Sequence, residues 1–195
     1  MREGVWGLAR ARAVAAAMAG DRRAVRGLVR DLFGEDAEVR KRAADVARRM
    51  TDGDGGLLER YADELAGLLE GLPVGESRTR WHLGLVVARV AHTRVQRLRA
   101  ARTMSLLAGD ASNVVRCSAM EGLGVLALRE PCLRGEAEEM VERFLREGTK
   151  AMKCRARHAK KRLEVQGGLS AGPTSLSHPT NEDLFVRTPV RAVTS

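Results

Sequence analysis

Asp36-Ala-Glu-Val-Arg40, Ser77-Arg-Thr-Arg80 and Ser112-Asn-Val-Val-Arg116 read as three versions of one helix start. Each opens on a residue whose side-chain oxygen can cap a helix, and each ends on a basic residue. The basic residue returns as Lys153, so Arg40, Arg80, Arg116 and Lys153 stand 40, 36 and 37 residues apart. Val39, Thr79, Val115 and Met152 precede them. Ala43, Leu83, Ala119 and Ala156 follow three residues later. Three residues further come Val46, Val86, Gly122 and Ala159, and four beyond those Met50, Val90, Leu126 and Leu163. Steps of three and four keep these positions on one face of a helix. Self-similarity at this period is the signature of stacked helical hairpins. The chain is therefore expected to be all-α: a right-handed α-solenoid of about four antiparallel helical hairpins over residues 1–165, with a disordered tail over residues 166–195.

Composition fits that reading. Ala, Leu, Val, Arg and Glu dominate, and most of these are good helix formers. Aromatic residues are 3% of the chain, too few for an ordinary β-sandwich or barrel core. A hydrophobic share of 44% over 195 residues suits one domain plus a tail. Cys117, Cys132 and Cys154 are an odd set without CxxC spacing. They suggest reduced thiols and a cytoplasmic protein. The opening run is rich in Ala and interrupted by Arg, unlike a secretory signal. No stretch of about 18 apolar residues is present, so no membrane span is expected.

Apolar spacing and caps give the helices. The first spans about Val5 to Met18. Asp21 caps a second, with Val25, Leu28, Val29, Leu32 and Phe33 on one face, and Gly34 stops it. A long helix covers about Asp36 to Met50. Its partner carries Leu58, Ala62, Leu65 and Leu69 and ends before Pro73. Ser77 caps the next long helix, to about Ala91, paired with Arg94 to Ala108. Ser112 opens a third, to about Arg129, whose partner carries Ala137, Met140, Val141, Phe144 and Leu145. A last helix runs to about Val165. The rest, rich in Gly, Pro, Ser and Thr, lacks a period. Leu184, Phe185 and Val186 are its one apolar cluster.

On the three helix starts, the segment from Asp36 to Leu163 resembles the HEAT-like family of α-helical repeats, which includes adaptin-like and bacterial HEAT-like solenoids. The resemblance implies that the column arginines Arg40, Arg80 and Arg116 form a ladder with acids of the neighbouring unit. Asp36, Asp110 and Asn113 are the candidate partners. The last unit departs from the pattern, with Lys153 in place of Arg and no acid before it.

Chemistry-bearing motifs are few. Cys154 and His158 share a helix face, but two ligands among Lys153, Arg155 and Arg157 do not make a metal site. Asp52 and Asp54 precede Gly55-Gly56, yet the loop lacks the Gly and Glu of a calcium site. Gly122-Leu-Gly124 lies inside a helical pattern and reads as a close helix contact, not a nucleotide loop. No catalytic constellation, cofactor motif or metal set can be nominated.

Charge is the remaining signal. The net charge of +9 is spread in blocks of alternating sign: +5 over residues 1–30, −5 over 31–70, +5 over 71–110, −2 over 111–148 and +6 over 149–165. These features suggest a non-enzymatic scaffold that binds a protein partner through its second helices. The candidate contacts are Arg94, Arg97, Arg102, Glu59, Asp63, Glu138, Glu142 and Arg146. The alternative is a nucleic-acid-binding solenoid similar to bacterial DNA-alkylation-repeat proteins. It would use Lys150, Lys153, Arg157, Lys160 and Lys161, with Trp81 as the one aromatic for base contact.

Overall fold

The computed structural model describes residues 8–52 and 56–170. Among these residues nine α-helices and no strand occur: α1 (Leu8–Met18), α2 (Arg22–Leu32), α3 (Ala37–Met50), α4 (Ala62–Gly71), α5 (Ser77–Val90), α6 (Arg94–Leu107), α7 (Asn113–Ala127), α8 (Arg134–Glu147) and α9 (Lys150–Ser170). Two short 3-10 turns, Gly56–Tyr61 and Pro131–Leu133, lead into α4 and α8.

Local chemistry sets the helix ends. The carboxylate of Asp21 accepts from the backbone N–H of Arg23 (2.7 Å) and Ala24 (3.1 Å). Asp36 does the same for Glu38 (2.8 Å) and Val39 (3.2 Å). Thr93 and Gln96 form a reciprocal capping box at 3.2 Å in both directions. Each such cap contributes about 1 kcal/mol. Gly20, at φ +85°, ends α1 in the left-handed region that only glycine enters freely. Two expected caps differ. Glu76 takes the cap position of α5, with Ser77 already helical, and the Ser112 side chain makes no cap bond. Asp110 instead accepts from the Ser112 N–H at 2.7 Å.

The odd-numbered helices lie side by side in order: α1 on α3, α3 on α5, α5 on α7, α7 on α9. The even-numbered helices cover them, α2 on α3, α4 on α5, α6 on α5 and α7, and α8 on α7 and α9. Helix α4 also touches α6. Being flanked on several sides, α5 is buried continuously from His82 to Ala88, and α7 from Cys117 to Met120 and again from Gly122 to Gly124. A helix enclosed in this way is apolar all round rather than on a stripe.

Nearly all the column positions of the sequence are core. Ala43, Leu83, Ala119 and Ala156 are buried, as are Val46, Val86, Gly122 and Ala159. Val90, Leu126 and Leu163 are buried too, while Met50 packs against the core from its edge. Val39 is exposed, unlike its counterparts Thr79, Val115 and Met152.

At the chain's end the expected boundary shifts. Helix α9 continues past Val165 to Ser170. The expected tail from residue 171 onward, and the first residues of the expected helix from Val5, lie outside the described residues.

Candidate protein-binding surface

Arginines lace the odd-numbered helices together at both ends. Near their starts, Arg40 of α3 forms a two-point ion pair with Glu76, Nε to Oε2 at 2.9 Å and Nη2 to Oε1 at 2.5 Å, and also donates to the Gly34 carbonyl. Arg80 of α5 pairs with Asp110 in the loop before α7. The acid thus belongs to the segment leading into the next odd helix. Of the expected partners, only Asp110 serves. Asp36 caps its own helix, and Asn113 reaches Arg116 at 3.4 Å within α7. Arg116 makes no ion pair among the described residues and sits instead 5.5 Å above the Phe144 ring. Lys153 is half-buried and makes no ion pair among the described residues.

A second series runs along the opposite ends. Arg89 donates to the Arg48 carbonyl (3.0 Å) and pairs with Asp52 (2.8 Å), while Arg129 donates to the Arg89 carbonyl (3.1 Å). A cation at the C-terminal carbonyls of the preceding helix complements that helix's dipole. Arg48, Arg89 and Arg129 recur 41 and 40 residues apart. The sequence carries this second recurrence beside the first column. In these contacts Asp52 serves as an ion-pair acid for Arg48 and Arg89.

Between α3 and α5, His82 is buried, stacks on Trp81 with ring centroids 4.4 Å apart, and lies 3.9 Å from Asp45. Burial pulls the His82 pKa down to about 4, opposed by the Asp45 carboxylate and aided by Arg48, Arg78 and Arg49. Trp81 is half-buried and packs against the core.

The candidate contacts of the second helices divide into those already engaged and those left open. Glu59 is not on α4 but in the 3-10 turn before it, half-buried. Asp63 of α4 accepts from Gln96 of α6 at 2.9 Å and faces Arg99 at 3.8 Å. Glu70 of α4 accepts from Arg99 (2.9 Å) and Thr103 (3.1 Å) of α6, and the Arg99 hydrogen bond holds its carboxyl below the usual range. Arg97 is mostly buried, paired with Glu130 (3.1 Å) and bonded to the His92 carbonyl (2.6 Å). Ser105 of α6 donates to Glu136 of α8. Glu138 pairs with Arg134 (2.8 Å), and Glu142 with Lys160 of α9 (2.6 Å).

Alternating charge along the sequence thus becomes attraction between neighbouring helices. Arg97, Asp63, Glu138, Glu142 and Lys160 are each engaged within the chain in this way. What remains open is a face of α6. Val95 is 77% and Leu106 78% exposed. Arg102 stands between them, exposed and without an ion pair among the described residues. Eleven residues are close to three full turns, so Val95 and Leu106 share a face. Arg94, its side chain 70% exposed, adds charge at one end and meets Glu130 only at 3.4 Å. On α8, Arg146 is exposed.

Helix α9 is different. Lys150, Lys153, Arg157 and Lys161 make no ion pair among the described residues, and all but Lys153 are exposed. Between α7 and α9 lies a groove of about 580 Å³, lined by Glu121, Leu128, Arg155, His158, Lys161, Arg162 and Val165. Cys117 is buried, Cys132 and Cys154 are exposed, and none is in a disulfide. Among the described residues, no group of three or more His, Cys, Asp or Glu could hold a metal ion. Among them, too, no helix is long and apolar enough to cross a membrane. Comparison with protein-family models, curated protein sequences and solved structures returned no match.

Proposed function

We propose that the chain is a HEAT-like scaffold: a right-handed α-solenoid without enzymatic activity that binds a protein partner through the even-numbered helices. The recurrence of Arg40, Arg80 and Arg116, the serial packing of α3, α5, α7 and α9, and the two arginine series support the architecture. One observation carries the function: Val95 and Leu106 flank Arg102 on α6, apolar and open on a surface whose other charges are mostly satisfied. Apolar anchors around an arginine are the usual energetic centre of a protein interface.

The test is a pull-down with Val95→Glu, Arg102→Glu and Leu106→Glu combined. Partner recovery should fall by more than tenfold while the melting temperature holds, since exposed positions change stability by about 0.5 kcal/mol or less. Full recovery by a folded triple variant would refute the surface.

A second reading, nucleic-acid binding, is favoured by the unpaired cations of α9. It predicts binding to duplex or single strands that weakens steeply with salt, through counterion release. Changing Lys150, Lys153, Arg157 and Lys161 to Gln should then abolish binding and flatten the salt slope. The scaffold reading expects only weak binding at about 0.15 M salt, where screening acts over about 8 Å.

A further inference from the structure

The groove between α7 and α9 pairs two kinds of wall. At one end Arg155 is held by Glu121 at 2.8 Å, so that carboxylate is already neutralised. In the middle Lys161 and Arg162 stand exposed without ion pairs among the described residues. At the far end Leu128 and Val165 are apolar, and Val165 is 57% exposed. These α9 positions form a face separate from the buried stripe of Met152, Ala156, Ala159 and Leu163. A fitting ligand carries two negative charges followed at once by a bulky apolar group.

One segment of the chain itself has that order. Glu182-Asp183-Leu184-Phe185-Val186 lies in the stretch beyond Ser170 and holds all the acids of residues 171–195. We infer that this segment docks in the α7–α9 groove of its own chain. Running parallel to α9, it sets Glu182 and Asp183 against Lys161 and Arg162, and Leu184 and Phe185 against Leu128 and Val165.

The dimensions agree. The groove follows α9 from Arg155 to Val165, about 15 Å at 1.5 Å per residue. Five extended residues span about 17 Å. Eleven residues join Ser170 to Glu182. They reach up to about 36 Å, more than the roughly 23 Å back from Ser170 to Arg155. Tethering places the segment at a high effective concentration over the groove, so modest contacts suffice. Docking would cover Lys161 and Arg162, two of the unpaired cations of α9.

Hydrogen exchange of the full chain, read by mass spectrometry at several protein concentrations, tests this. Backbone amides of Leu184 to Val186 should exchange at least about tenfold slower than in the Leu184→Ala, Phe185→Ala variant. The Lys161→Glu, Arg162→Glu variant should lose the slowing, and adding Glu182→Lys and Asp183→Lys should restore it. Amides of α5 and α7 serve as the folding control. Free-chain exchange of the segment in the parent overturns the proposal, as does failure of the charge swap to rescue. Protection that rises with protein concentration would place the segment on a second copy and overturn docking within one chain.

Discussion

Gly122 and Gly124 stand two residues apart in α7, and replacing each with alanine should move stability in opposite directions. In a helix interior the change itself is worth about 1 kcal/mol in favour of alanine. A Cβ added at Gly124 meets nothing within 4 Å. Gly124→Ala should therefore keep most of that gain, raising the melting temperature by about 2–4 °C for a chain of this size. A Cβ at Gly122 would lie 2.7 Å from Met104 Sδ and 3.2 Å from Ala88 Cβ. Met104 is fully buried, so its side chain can shift only by repacking its neighbours. Overpacking of this kind costs about 1–3 kcal/mol, which exceeds the propensity gain. Gly122→Ala should thus lose about 1 kcal/mol net, a fall of about 2–4 °C. Thermal and urea melts followed by circular dichroism at 222 nm measure both. In a Met104→Ala background the Gly122→Ala penalty should shrink, because the main obstacle is gone. A Gly122→Ala variant melting at or above the parent would show that α5, α6 and α7 do not approach as described.

Two further outcomes are expected. His82 titrates near pH 6.5 in the unfolded chain but about 4 in the fold, so the folded state disfavours its proton. Stability should be full above pH 6.5 and decline as pH falls from 6.5 towards 4, by up to about 3 kcal/mol; His82→Gln should flatten this slope in urea titrations. Glu76→Gln should cost about 2 kcal/mol at pH 7 by unpairing Arg40, whose side chain is only 13% exposed. Arg40 holds the Glu76 carboxyl below its usual range, so the pair's contribution should persist above about pH 4.5, fade as pH drops further, and be absent from the variant's acid melt.

Sequence alone determined the helices and most of the core. Caps such as Asp21 and Asp36, stops such as Gly34, and steps of three and four residues act within one or two turns, so they are readable one segment at a time. For the same reason the columns through Ala43, Leu83, Ala119 and Ala156 predicted burial. The α9 end was set too early because Gly167 and Gly168 weaken a helix without forbidding it. Only tertiary structure decided which acid each arginine meets. Glu76 and Asp110 lie 36 and 30 residues from Arg40 and Arg80, a choice made by how α3, α5 and α7 stack. Packing also turned the alternating charge blocks into contacts between α4, α6, α8 and α9, leaving Val95, Arg102 and Leu106 open. It separated Gly122, where an added Cβ would press on Ala88 and Met104, from Gly124, where an added Cβ would meet nothing within 4 Å. Sequence spacing records which residues share a helix face; which neighbour fills the space opposite is set by the distance between helices, and that emerges only when they pack.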